Sequence, residues 1–312
     1  MITREAALKI SSDNFPVGPE ALARYLSVTV IESPLNGVEG WCIRGPNTVI
    51  RVNSNSVKNR RRFTLAHELA HLVLGTDPDI ASEPFKSDKL EEREADRLAS
   101  ELLIPDAQLY KALGNTLPVD AKTLSRLAGS ANVSPVMVAC RVVNSTDALG
   151  LKNSAIVFFK NGQEAWRYSP TLRFSASEAK SLLDATVASK PDVARTSNPD
   201  GNIVVSSMIN APVYQVLLIQ LLPEALASQE TYDERLRNLS SKVFGGNKSF
   251  QQRVNGCLNA VKNKCEGQSL EQAYNCFLDR YINKKFKDAE AEALCSPSGQ
   301  QYLRLFLQRW FN

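Results

Sequence analysis

Arg62-Phe63-Thr64-Leu65-Ala66-His67-Glu68-Leu69-Ala70-His71-Leu72 carries both histidines of this 312-residue chain, with Glu68 directly after the first. From Arg62 to Leu74 the residues Phe63, Leu65, Ala66, Leu69, Ala70, Leu72 and Val73 recur at helical spacing, and no Pro or Gly intervenes before Gly75. Ser54, Asn55 and Ser56 are N-cap candidates, and Gly75 is a stop signal. On a helix, residues i and i+4 stand one above the other, so His67 and His71 point the same way and can grip one ion. Glu68 is turned about 100° from His67. It misses the ion but can take a proton from water held there, which makes it the candidate general base.

Catalytic zinc takes three protein ligands and keeps a fourth position for water. No histidine remains to be the third. Asp77, six residues after His71, is one candidate. A second lies in the segment Lys89 to Leu103, whose Ala95, Leu98, Ala99, Leu102 and Leu103 form an apolar helical face. There Glu92 and Asp96 stand at i and i+4. One of these carboxylates can bind zinc while the other hydrogen-bonds a ligand histidine and fixes its tautomer. Taken alone, the acidic cluster reads as a solvated helix start favoured by the dipole. Some twenty residues beyond an H-E-x-x-H helix, the metal reading is preferred.

The stretch Arg62 to Leu72, followed by Glu92-x-x-Ala95-Asp96-x-x-Ala99-x-x-Leu102-Leu103-Ile104-Pro105, resembles the ImmA/IrrE family of metallopeptidases. Pro19-Glu20-Ala21-Leu22-Ala23-Arg24-Tyr25-Leu26 and the strand-rich stretch ending in Val52-Asn53-Ser54 also fit, so the likeness covers about residues 1 to 145. Asp96 stands where Asn is commoner, and Ile104 where Met is usual. The resemblance implies a small zincin core with Zn2+ on His67, His71 and Glu92, and Asp96 behind them. It also implies cleavage of a helix-turn-helix repressor inside a bacterial or phage-infected cell.

Short β-branched or aromatic runs at Val28 to Ile31, Trp41 to Arg44 and Thr48 to Val52 suggest a small antiparallel sheet. Thr48 to Asn53 is the expected edge, where an extended peptide could pair across the metal, with an ordinary core strand as the equally weighted alternative. The group that polarises the scissile carbonyl would be a Tyr or Arg, with Tyr25, Tyr110 and Arg60 to Arg62 as candidates. A solvated turn is the plainer reading of the three arginines.

The chain is 43% hydrophobic and 22% charged, the composition of an ordinary soluble protein. No apolar run approaches the ~18 residues that span a bilayer. The opening Met1-Ile2-Thr3-Arg4-Glu5 lacks a signal-peptide core, so a cytoplasmic location is expected. Six cysteines with no C-x-x-C spacing read as buried thiols. The expected class is α+β: a zincin-like domain over 1–147, a small α/β domain over 148–229 and a helical segment over 230–312. The second would carry a hairpin at Asn161-Gly162 and an amphipathic helix from Ser175 to Ser189. The family resemblance suggests a sensing role for it, against which stands a packing or substrate-positioning role. The last carries 13 Lys and Arg against 9 Asp and Glu, too weak an excess to argue for nucleic acid. Two alternatives accompany the zinc endopeptidase: a regulator that binds its repressor partner without cutting it, and a nucleic-acid-binding protein with a structural zinc.

Overall fold

The computed structural model describes residues 2–77, 89–113, 117–145, 149, 153–170, 172–189, 193–197, 203–211, 214–223 and 229–311. The protein is α+β and forms two compact units, Met1–Gln229 and Glu230–Asn312. The expected junction at residues 147 and 148 lies outside the described residues. Among the described residues, no helix is long and apolar enough to cross a membrane.

The first unit opens with α1 (Arg4–Asp13) and α2 (Gly18–Tyr25), then β1 (Thr29–Ser33), β2 (Gly40–Ile43) and β3 (Val49–Asn53). The metal-motif helix α3 spans Lys58–Leu74, a turn longer at its start than the apolar periodicity indicates. Its N-cap is Val57 rather than Ser54, Asn55 or Ser56. Gly75 ends it in the left-handed region (φ 73°), donating its N–H to the His71 carbonyl. Helix α4 (Leu90–Leu103) lies against α3, and Leu98, Ala99, Leu102 and Leu103 are fully buried. Helices α5 (Asp106–Leu113), α6 (Ala121–Ala131) and α7 (Pro135–Asn144) complete this half.

The small sheet has the order β1-β3-β2 and is mixed, not wholly antiparallel. Strand β2 pairs antiparallel to β3, whereas β1 pairs parallel to it, Thr29 opposite Val49 through Ser33 opposite Asn53. Parallel neighbours need a long crossover, and residues 34–48, β2 included, supply it. Asn53 at the end of β3 holds that crossover. Its amide donates to the carbonyls of Leu35 and Val38 at 3.0 Å each, and its oxygen accepts from the Leu35 N–H. The stretch Thr48 to Asn53 is therefore the centre of the sheet, with Ile50 and Val52 buried, and the edges are β1 and β2.

A second, antiparallel sheet has the order β5-β4-β8-β7-β6, from β4 (Asn153–Lys160), β5 (Gln163–Tyr168), β6 (Val193–Ser197), β7 (Ile203–Ala211) and β8 (Tyr214–Leu222). Asn161 and Gly162 turn β4 into β5 with positive φ at both, as an Asn-Gly hairpin requires. Helix α8 (Ala176–Ala188) covers one face through Ala179 and Leu183. The other face shares a core with the metal-site half, Ile156, Val205 and Leu218 joining Val138 and Val142. Gln220 spans this boundary by exchanging two 2.8 Å hydrogen bonds with the Val119 backbone.

The second unit is helical, with segments Tyr232–Phe244, Lys248–Lys264, Leu270–Phe277, Asp288–Cys295 and Pro297–Leu307. They enclose a separate core in which the Tyr232 hydroxyl donates to the Leu305 carbonyl at 2.7 Å.

Candidate metal centre

Helix α3 brings His67 and His71 to one face, where their Nε2 atoms stand 3.1 Å apart. Glu92 projects from the first turn of α4 with one carboxylate oxygen 3.3 Å from His67 Nε2 and the other 3.4 Å from His71 Nε2. His71 and Glu92 are buried, while the His67 side chain retains 14% of its surface. Among the described residues, these three form the grouping of His, Cys, Asp or Glu donors close enough to share a cation. The C-terminal cysteines form none, and all six cysteines are free thiols.

The far sides of both rings are engaged. Asp96, one turn after Glu92, places Oδ1 3.0 Å from His67 Nδ1, and the Thr76 hydroxyl lies 2.8 Å from His71 Nδ1. The Asp96 carboxylate accepts from His67 Nδ1, and the Thr76 hydroxyl can accept from His71 Nδ1, an arrangement that turns both Nε2 atoms toward the Glu92 oxygens. The Nε2 atoms and Glu92 oxygens that converge here call for positive charge, which a proton on His67 supplies without metal and a bound cation would supply in its place. Two ligands about 2.05 Å from zinc at the tetrahedral angle lie about 3.3 Å apart. The imidazole nitrogens stand 3.1 Å apart and each faces a different Glu92 oxygen, at 3.3 and 3.4 Å, which leaves the three side chains within reach of one cation. The donor set fits zinc.

Electrostatics follow from this crowding. Burial works to lower the His67 imidazole, but its hydrogen bonds with Asp96 and Glu92 outweigh burial and raise it to about 9. His71 is pushed down to about 4 by burial and then by the facing His67. Burial raises the Glu68 carboxyl to about 7, with His67 opposing that rise. Glu68 Oε2 is buried without a hydrogen-bond partner, so this carboxylate is not tied up by the fold.

The other sequence candidates lie elsewhere. Asp77 is almost fully exposed and pairs with Arg44 at 3.3 Å. Tyr25 and Tyr110 are exposed on the surface. Arg60 pairs with Glu39 and Arg61 with Glu32. Arg62 is buried, where it ties Glu20 to the carbonyls of Pro16, Ala131 and Asn132. These contacts give all three arginines work in holding α3 in place.

Two contributors escape the sequence motif. Thr76 reaches His71 only because the left-handed turn at Gly75 folds the chain back over the end of α3. Arg44, just beyond β2, donates to the carbonyls of His71 and Thr76 and fastens that end. Glycine at position 40 lets β2 approach α3, since a Cβ there would run into Thr64 Cγ2 and lie 2.8 Å from the Arg51 carbonyl oxygen. Burial and then the nearby Glu68 carboxylate raise the Cys42 thiol to about 11, and Arg44 helps to lower the His71 imidazole.

Residues 23–143 match the IrrE N-terminal-like domain, Peptidase_M78. The Peptidase_M78 domain thus contains every residue of the cluster and ends at α7, before the second sheet. The name of the matched domain is that of a peptidase. No curated protein matches the chain. Among solved structures, a Mycobacterium tuberculosis transcriptional regulator is similar over 72% of this chain and 78% of its own, with 16% identity and a TM-score of 0.47.

Proposed function

We propose that the protein is a zinc-dependent endopeptidase that cuts a regulatory protein, a helix-turn-helix repressor being the substrate the family suggests. His67, His71 and Glu92 hold the metal, Glu68 is the general base, and Asp96 orients His67. The observation that carries this reading is the convergence of His67, His71 and Glu92, the last two buried, within reach of one cation, beside a Glu68 oxygen buried without a hydrogen-bond partner. Zinc, when bound, supplies Lewis acidity, lowering the pKa of water and polarising a carbonyl.

The residues of the chain do the rest. Glu68 takes the proton of the attacking water and can return it to the leaving amine. Burial raises this carboxyl's affinity for the proton, which favours its holding the proton between the two transfers. Asp96 and Thr76 keep the imidazoles turned with Nε2 inward. Among the described residues, β2 is an edge to which a peptide strand could add, whereas β3 is central.

Glu68→Gln tests the assignment. Purified protein should contain about one zinc per chain, consistent with a single three-ligand site. The variant should retain that zinc while cleavage of a helix-turn-helix repressor encoded beside it falls by roughly 10²–10⁴-fold. Undiminished proteolysis would remove Glu68 from the reaction. A wild-type protein that binds the repressor without cutting it would replace the peptidase reading with a non-cleaving regulator.

A further inference from the structure

A cleft of about 550 Å³ opens between the start of α3, helix α7 and the β4–β5–β8 side of the second sheet. Its walls include Phe63, Met137, Phe158, Trp166 and Tyr214. Phe158 packs against Trp166 with ring centroids 4.6 Å apart and against Tyr214 at 5.8 Å, yet all three rings remain only half-buried. Aromatic surface of this kind, left open in a concave site, is what a ligand pocket offers. The lining contains Arg60 and Lys160 but no carboxylate.

The cleft adjoins the metal centre. Phe63 stands one turn before His67, and the two rings are 6.1 Å apart. On the floor, Cys140 is near enough to Asp96 to feel its charge. An extended peptide advances about 3.3 Å per residue, so a chain passing His67 reaches the cleft within about two residues.

We infer that this cleft is a specificity subsite, taking a large apolar or aromatic side chain of the peptide within a few residues of the scissile bond. The inference rests on the peptidase reading and adds what selects the substrate. Phe158, Trp166 and Tyr214 lie beyond the domain matched over 23–143, so selection is assigned to the part of the chain that follows the metal-binding half. A phenylalanine or leucine side chain exchanges water for the aromatic walls. A lysine or arginine gives up its hydration against the aromatic walls and meets Lys160 and an Arg60 already paired with Glu39, with no carboxylate in the lining to receive it, and is rejected.

The test uses the full-length Glu68→Gln chain, which binds without turnover. Blocked pentapeptides Ac-Ala-Ala-X-Ala-Ala-NH2, with X as Phe, Leu, Asp or Lys, are titrated by calorimetry. The Phe and Leu peptides are expected to bind about tenfold or more tightly than the Asp and Lys peptides. Phe158→Ala should erase that preference, and so should Ala165→Trp, which fills the cleft from an exposed rim position and leaves the core intact. Equal binding of all four peptides, or a preference that survives Ala165→Trp, overturns the subsite. So does binding of a free aromatic acid such as indole-3-acetate with no binding of any peptide, which would make the cleft a small-molecule site. Because binding is read without catalysis, a wild-type chain that cuts nothing would sink the peptidase reading while the peptide ranking still decides this one.

Discussion

Each imidazole of the cluster is held by a different device, and the two differ in consequence. His67 leans on Asp96 in the neighbouring helix, a buried charged partner, whereas His71 leans on the neutral hydroxyl of Thr76. Losing such an outer partner typically costs 10- to 100-fold in metal affinity. Asp96→Ala should therefore weaken zinc binding by about 10- to 100-fold, measured by competition with a chromogenic chelator. Thr76→Val, which keeps the shape and removes one neutral hydrogen bond, should cost less, on the order of tenfold or below. A Thr76→Val loss equal to that of Asp96→Ala would contradict this ranking. The sequence exposes the His67 side of this arrangement because His67, His71, Glu92 and Asp96 all sit at i, i+4 spacings on helices. Thr76 and Arg44 have no such periodicity. They reach the site through a turn and a strand end, which single-residue patterns do not encode.

Strand β2 reaches the metal helix because residue 40 has no side chain. Gly40→Ala must displace either Thr64 or the β3 backbone, and overpacking of this kind costs about 1–3 kcal/mol. The urea midpoint should fall accordingly, and Thr64→Ser, which removes the obstructing methyl, should recover part of the loss. No recovery would place the strain on the Arg51 carbonyl instead. The same strand shows what sequence periodicity leaves open. Runs of Val, Ile and Trp located all three strands of the small sheet, but a period of two says nothing of partner or direction. The alternation leaves Thr48 to Asn53 equally compatible with edge or centre and suggests an antiparallel β1, whereas the strand is central and β1 runs parallel to it. The deciding information sits in the Asn53 side chain, which clasps the crossover through backbone groups of Leu35 and Val38. The Asn161-Gly162 turn, by contrast, specifies its own hairpin, because left-handed φ at two successive residues leaves few alternatives.

At the scale of the whole molecule, the metal cluster lies in only one of two compact units, each with its own hydrophobic core. A ligand that binds only the folded form stabilises the unit that holds it by RT ln(1 + [L]/Kd), about 2.7 kcal/mol when free zinc is 100 times Kd. The site joins α3 to α4, whose apolar faces form the centre of the first core, so that energy bears on Met1–Gln229 as a whole. The helical unit Glu230–Asn312 has no cluster of this kind among its described residues and gains nothing from zinc. Scanning calorimetry of the full chain should therefore resolve two transitions. Chelation with EDTA should lower only the larger one, by several degrees for a unit of this size. The Glu92→Gln variant should show a lowered larger transition already, and EDTA should move it little further. A chelator shift in the smaller transition, or in neither, would mean that the cluster does not contribute to folding as its burial between two core helices implies.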